Sequence, residues 1–339
     1  MLEIGSVIDG KYKILSQIGQ GGMSVVYLAL NERANKTWAI KEVRKDGVQD
    51  FATVKQGLIA ETDTLKQLNH KYLPSIIDVI DDEDTFLIVM DYIEGKSLNK
   101  VLKESMEQTG LPIGIEDVLS WGIQLCDVLN YLHTREQPIV YRDLKPSNIM
   151  LRPNGEITLI DFGTAREFKI ENIEDTTSLG TPGYAAPEQY TRPGASPDTI
   201  ETVPLEETMP LRGYKDAFAY QNVRSNKGPS GRGVSNSVTA AQATNAGGYG
   251  TISKRTDVYG IGATLYYAIT GQQPGHSLKD VRPITSYKLK FSRSFLLIIA
   301  RAMMKRQEER FCDAQEMLRA LQDIHAIDGR YKKVVHSQR

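Results

Sequence analysis

Tyr141-Arg142-Asp143-Leu144-Lys145-Pro146-Ser147-Asn148 lies between two apolar runs, Pro138-Ile139-Val140 and Ile149-Met150-Leu151. A strand would bury its charges to no purpose, and Pro146 disfavours helical backbone at Lys145 before it. The octapeptide therefore reads as a loop pinned at both ends. Such a loop brings a carboxylate, an ammonium and an amide close together.

Phosphoryl transfer uses these three groups. Asp143 can accept a hydroxyl proton, Asn148 can ligate Mg²⁺, and Lys145 can neutralise a transferring phosphoryl group. Thirteen residues after Asn148, behind the strand-like run Ile157-Thr158-Leu159-Ile160, stands Asp161-Phe162-Gly163. Together the two stretches resemble the catalytic and metal-binding loops of the eukaryotic-type (Hanks-type) bacterial serine/threonine protein kinases. Lys145, two residues after Asp143, resembles the serine/threonine branch of that family.

The resemblance implies an α+β fold, the bilobal protein-kinase fold, with a small β-rich N-lobe carrying one main helix and a larger, mostly helical C-lobe. It spans about residues 5–190 and 251–325. The implied organisation is an N-lobe over 1–90, a hinge over 91–95, a C-lobe over 96–190 and 251–325, an insertion over 191–250 and a tail over 326–339.

Composition agrees with an ordinary globular protein: 339 residues, 24% charged and 40% hydrophobic. With 41 basic against 42 acidic residues, a formal charge of -1 gives no support to a nucleic-acid or membrane-surface role. Cys126 and Cys312 are too few for a disulfide framework and are expected as small buried hydrophobes in helical patterns. No cleavable signal is recognisable, and no stretch approaches the ~20 apolar residues of a membrane span, so a cytoplasmic location is expected. In bacterial members of the resembled family a transmembrane helix often follows the kinase domain. Membrane attachment is therefore expected only through a C-terminal part outside this chain.

Residues 11–18 and 25–29 read as a β-hairpin whose tip is Gly19-Gln20-Gly21-Gly22-Met23-Ser24. Backbone N–H groups freed of side chains can approach phosphate oxygens. By resemblance Ile18 and this tip cover the phosphates of ATP, with Ser24 where the family carries its third glycine. Lys41 sits inside an apolar strand pattern over 37–43 and needs anionic partners. The resemblance supplies the α/β-phosphates and Glu61, on a helix read over 51–68. It also makes Val26, Ala39 and Met150 the residues that sandwich adenine, although their types fit a generic core equally. Met90 would guard the pocket behind, and the backbone of Asp91 and Ile93 would read the adenine edge. His70 matches a structural histidine.

Short strands are expected over 75–80 and 85–90, and helices over 97–103, 118–132, 256–270, 295–304 and 314–324. Tyr141 stands where the family usually has His, and its ring would pack on Phe162, in a column with Leu65 and Val79. In the resembled family an Arg before the catalytic Asp, here Arg142, marks regulation by phosphorylation of the activation segment, which makes Thr176, Thr177 and Ser178 candidate sites. Thr181 would hydrogen-bond Asp143 and Lys145. Glu188 would pair with Arg310, and Asp257 would accept hydrogen bonds from the catalytic-loop backbone.

From 191 to 250 the family pattern fails, in a stretch that carries Pro193, Pro197, Pro204, Pro210 and Pro229 and the runs Gly228-Pro229-Ser230-Gly231-Arg232-Gly233 and Gly247-Gly248-Tyr249-Gly250. Disorder is expected there. Within it Glu201-Thr202-Val203-Pro204-Leu205 and Glu207-Thr208-Met209-Pro210-Leu211 form an imperfect repeat, read as a docking or autophosphorylation motif or as coincidence.

The sequence thus leads to an ATP-dependent protein serine/threonine kinase using Mg²⁺, with Mn²⁺ as a substitute, acting on proteins and autophosphorylating on its activation segment. Two alternatives stand beside it: an ATP-binding pseudokinase scaffold, although no catalytic group is missing, and a small-molecule phosphotransferase. The latter generally lacks a peptide-positioning segment such as Gly180 to Glu188.

Overall fold

The computed structural model describes residues 1–20, 24–43, 59, 62–63, 65–81, 86–110, 112–161, 166–167, 181–189, 251–275, 281–287 and 291–324. The sequence readings at 21–23, 44–58, 61, 162–165, 168–180 and 190–250 lie outside these residues. The chain divides into two compact units.

The first unit comprises Met1–Glu104 and Pro146–Glu167. Among the described residues it holds a sheet built from β1 (Val7–Ile8), β2 (Tyr12–Gln20), β3 (Ser24–Asn31), β4 (Lys36–Val43), β5 (Ile76–Asp81) and β6 (Phe86–Asp91). Their order is β1-β2-β3-β4-β6-β5, with every neighbouring pair antiparallel. Because side chains alternate across a strand, the sheet has two different faces. One buries Tyr12, Ile14, Val25, Tyr27, Ala29, Trp38, Ile40, Leu87 and Val89 in a single apolar cluster. The other carries Val26 opposite Lys41, Leu28 opposite Ala39, and Met90 opposite Ala39. On that second face Val26, Leu28, Lys41 and Met90 are only half-buried.

The hairpin differs from its sequence reading in one respect. Gly19 and Gln20 do not belong to the tip but remain in the ladder, paired with Val26 and Val25 beyond a register shift after Gln17. The register shift, rather than the missing side chain, accommodates Gly19, since an added Cβ would stand 3.6 Å from the Val26 Cβ, an ordinary contact. The helix read over 51–68 is represented by Ile59, Thr62, Asp63, Leu65 and Lys66, all helical.

A second, three-stranded sheet in this unit has the order β10-β9-β7, from β7 (Lys96–Ser97), β9 (Ile149–Leu151) and β10 (Ile157–Leu159). The apolar run after the octapeptide is thus one arm of a short antiparallel hairpin. Helix α1 (Leu98–Thr109) starts at Ser97, whose Oγ accepts the Lys100 N–H at 3.4 Å. It continues past the expected end at 103 because nothing interrupts helical backbone before Gly110. There φ reaches 64° and the N–H returns to the Met106 carbonyl.

The second unit has its described residues within Ser105–Lys145 and Phe168–Arg339. It contains β8 (Ile139–Val140) and helices α2 (Ile115–His133), α3 (Lys254–Thr270), α4 (Arg293–Ala302) and α5 (Ala314–Gln322). Helix α2 packs on α3 and α5, and α3 also meets α4. Helix α3 is buried all round from Thr256 to Thr270, as expected of a helix inside a core rather than on its surface. Its start is a capping box: Ser253 Oγ accepts the Arg255 N–H, and Thr256 Oγ1 accepts the Ser253 N–H. Gly271, at φ 66°, ends it.

The thiols divide. Cys126 is buried on α2, and burial pushes its pKa up. Cys312 is exposed, against expectation. It precedes Asp313, the N-cap of α5, and its N–H is taken by Glu316 Oε2 at 2.7 Å, so it serves a helix start rather than a helix face. Among the described residues no helix is long and apolar enough to cross a membrane.

Candidate active site

In the second unit, β8 delivers the chain to the octapeptide. Asp257, in the first turn of α3, accepts the N–H of Tyr141 on Oδ2 and the N–H of Arg142 on Oδ1, both at 2.8 Å. Its Oδ2 also lies 2.8 Å from His133 Nε2, the last residue of α2, and both side chains are wholly buried. A buried carboxylate is retained only when its oxygens are satisfied, and three donors satisfy this one. Asp257 is thereby the anchor of the loop. Tyr141 is fully buried and Arg142 nearly so.

Arg142 adopts φ 69°, in the left-handed region. After it, the Asp143 carboxylate meets two partners. Lys145 Nζ lies 2.6 Å from Oδ2, and the Thr181 hydroxyl donates to Oδ1 at 2.9 Å. Lys145 Nζ in turn donates to Thr181 Oγ1 at 2.7 Å. One hydroxyl thus accepts from the ammonium and donates to the carboxylate, closing a triangle of three side chains. Leu144 faces the other way, packed where α3 carries Gly260; a Cβ on Gly260 would stand 2.8 Å from the Leu144 Cβ.

Glu188 and Arg310 are both at 0% side-chain exposure and pair through two parallel bonds of 2.8 and 2.9 Å. Thr256 Oγ1 donates to Glu188 Oε1 at 2.8 Å. Arg310 also donates to the carbonyls of Met304, Lys305 and Arg255. Such a bidentate, fully bonded pair is the geometry in which a buried ion pair recovers its desolvation cost.

In the first unit, Lys41 Nζ lies 2.8 Å from Asp161 Oδ1, with Lys41 18% and Asp161 50% exposed. Asp161 adopts φ 68° and, with Arg142, is among the described non-glycine residues of positive φ. Strain of this kind persists where surrounding structure imposes it and gathers at functional sites. The Ile160 N–H donates to the Asn148 carbonyl at 2.9 Å, which sets Asp161 next to the turn Pro146–Asn148. Asn148 is buried. Mg²⁺ takes hard oxygen ligands and is commonly held by one or two side chains plus substrate phosphates. The amide oxygen of Asn148 and the half-exposed carboxylate of Asp161 fit that donor set.

The candidate adenine residues share the sheet face described above: Val26 and Met90 half-buried, Ala39 buried, with Met150 half-buried on β9. The Asp91 N–H donates to the Ser75 carbonyl at 3.0 Å, and its carboxylate takes Lys36 Nζ and the Ser75 N–H. Its amide is therefore committed within the protein. Ile93 is buried. Ile18, Gly19, Gln20 and Ser24 flank residues 21–23. Gly21, Gly22, Met23, Glu61, Phe162, Thr176, Thr177 and Ser178 lie outside the described residues, so the structure assigns Lys41 the partner Asp161 and says nothing of Glu61.

Sequence reasoning missed His133, Gln189 and Gln307. Gln307 bridges the Ser253 hydroxyl and the Thr251 carbonyl beside the capping box of α3. Nothing in a lone His or Gln marks it as a partner of residues more than fifty positions away. Gln189 had one usable signal, its place directly after Glu188.

The protein kinase domain matches residues 12–199, more than half of the chain. The serine/threonine-protein kinase PrkC of Bacillus subtilis is 35% identical over 187 residues, covering 55% of this chain and 28% of that protein. The serine/threonine-protein kinase PknD of Chlamydia felis is 31% identical, covering 56% of this chain and 22% of that one. A mouse protein, serine/threonine-protein kinase Nek3, is 32% identical over 177 residues, covering 52% and 33%. The chain spans about a quarter of the length of the first curated relatives it matches.

Proposed function

The chain belongs to the protein kinase domain family, and on that premise we propose that it transfers the γ-phosphoryl group of ATP to serine and threonine hydroxyls of proteins. The observation that carries this reading is the closed triangle of Asp143, Lys145 and Thr181. A carboxylate held at both oxygens is oriented before the substrate arrives, so little reorganisation remains for the reaction itself.

In this reading Asp143 Oδ accepts the proton of the incoming hydroxyl as its oxygen bonds to the γ-phosphorus. Lys145 offsets the negative charge on the transferring group, and ADP leaves with the electrons of the broken P–O bond. Lys41 holds the α/β-phosphates, exchanging its bond to Asp161 for bonds to phosphate, with Glu61 as its further partner. Asn148 and Asp161 would hold a divalent cation, Mg²⁺ before Mn²⁺, which when bound neutralises phosphate charge. Val26, Ala39 and Met150 enclose adenine, and Ile18 to Ser24 cover the phosphates.

Arg142 is the receiver for a phosphate on Thr176, Thr177 or Ser178, added by the chain itself. The relatives named above are protein kinases, which supports protein substrates. The near-neutral charge supports neither nucleic acid nor a membrane surface, and the cytoplasm is the proposed location.

Phosphoamino-acid analysis tests the substrate class. Radiolabelled ATP, Mg²⁺ and a generic protein substrate should yield phosphoserine and phosphothreonine and no phosphotyrosine. Label found only in small molecules would sink the reading in favour of a small-molecule phosphotransferase.

A further inference from the structure

The Asp143 N–H donates to the Tyr141 carbonyl at 3.0 Å across Arg142, whose φ is 69°. This is a γ-turn of the positive-φ kind, which is rare and strained. A strained turn relaxes unless its peptide planes are held from outside. Asp257 holds the N–H groups of Tyr141 and Arg142. The peptide plane between Arg142 and Asp143 remains, and its orientation sets the direction in which Asp143 leaves the backbone.

That plane is gripped at both ends. Its N–H goes to Tyr141, as above. Its carbonyl, Arg142 O, accepts Gln189 Nε2 at 2.9 Å. Gln189 is 5% exposed and sits at the end of the turn Pro187–Gln189, where its own N–H bonds the Ala186 carbonyl. The side-chain oxygen accepts the Ala186 N–H at 2.8 Å. This second bond decides the orientation of the amide: with oxygen on Ala186, nitrogen must face Arg142, and the reverse placement would set oxygen against oxygen.

We propose that Gln189 is a positioning residue for the phosphoryl-transfer reaction. It acts through the Arg142 carbonyl and ties the turn that ends the activation segment to the aim of the Asp143 carboxylate. The inference rests on the function proposed above. Loss of the grip lets the peptide plane tilt, and a displacement of about 1 Å at a reacting group costs on the order of 100-fold in rate.

The test uses Gln189→Glu and Gln189→Met in the full chain. Gln189→Glu keeps an acceptor for the Ala186 N–H and removes the donor to Arg142; Gln189→Met keeps the shape and removes both. Three quantities are read for each: kcat and KM for ATP on a generic protein substrate, ADP affinity by calorimetry, and the melting temperature. The expected result is a kcat lower by about 10- to 100-fold, with KM for ATP and ADP affinity within about twofold of wild type. A purely structural role would instead lower the melting temperature and leave kcat of the folded enzyme unchanged. That outcome in either variant, beside an active wild type, overturns the proposal, whereas a wild type that transfers no phosphate overturns the function beneath it.

Discussion

At the scale of single residues, the triangle around Thr181 makes the sharpest prediction. Its hydroxyl is both acceptor from Lys145 and donor to Asp143, so Thr181→Ala removes two charge-assisted bonds while Thr181→Ser keeps them. A bond to a charged group contributes about 1.5–3 kcal/mol, and each ~1.4 kcal/mol is tenfold in rate. Steady-state kinetics should show kcat falling about 10- to 100-fold in the alanine variant and recovering to within a few fold in the serine variant. Lys41→Met should weaken nucleotide binding, measured by ADP calorimetry, and leave Asp161 without the cation it now faces. Legibility at this scale was uneven. Lys41 could be picked out because a charge amid apolar residues demands a partner, and Asp143 and Asp161 because they stand in the two stretches that carry the family resemblance. His133 could not, because its partner Asp257 lies 124 residues away, and Gln189 offered only its place after Glu188, because a buried amide leaves no periodic trace. Cys312 misled for a related reason: an apolar neighbourhood in sequence does not separate a helix face from the residue before its cap.

Among elements, the strongest coupling is the bridge from Glu188, just before the insertion, to Arg310, between α4 and α5. Breaking one side of a buried pair costs about 3–5 kcal/mol, whereas replacing both partners by apolar groups of similar size can be nearly neutral. Denaturant unfolding should therefore show Arg310→Met destabilised by about that amount, and Glu188→Met/Arg310→Met recovering part of it. A double-variant loss equal to the sum of the Glu188→Met and Arg310→Met losses would mean that the two side chains are not coupled. Helix α3 offers a second check. The missing Cβ at Gly260 admits Leu144, so Gly260→Ala should cost about 1–3 kcal/mol by overpacking and should slow turnover as Leu144 shifts next to Asp143. Most element readings needed only periodicity and caps, which is why the sheet and α2 to α5 appear within a few residues of their expected positions. The errors fall at ends: Gly19 stays in a strand because the register absorbs it, and α1 runs on to Gly110 because the true stop signal lay farther along.

For the molecule as a whole, the two units carry different parts of the proposed chemistry: phosphate and metal groups in the first, the proton acceptor and its supports in the second. Nucleotide binding should accordingly stabilise the fold by mass action. At 100 times its dissociation constant, ADP with Mg²⁺ should contribute about 2.7 kcal/mol. That appears as a rise in melting temperature, removed by EDTA and reduced in Lys41→Met. The family was legible because its motifs recur in a required order. The role of residues 191–250 was not, since the family pattern supplies no motif there. The central claim is that Asp143 is the group that takes the hydroxyl proton, and one comparison addresses it directly. Phosphate transfer to a generic protein and ADP affinity are measured side by side for wild type and Asp143→Asn. The account predicts that the variant binds ADP as wild type does while transfer falls by about 100- to 10,000-fold; equal transfer by the two proteins would contradict it.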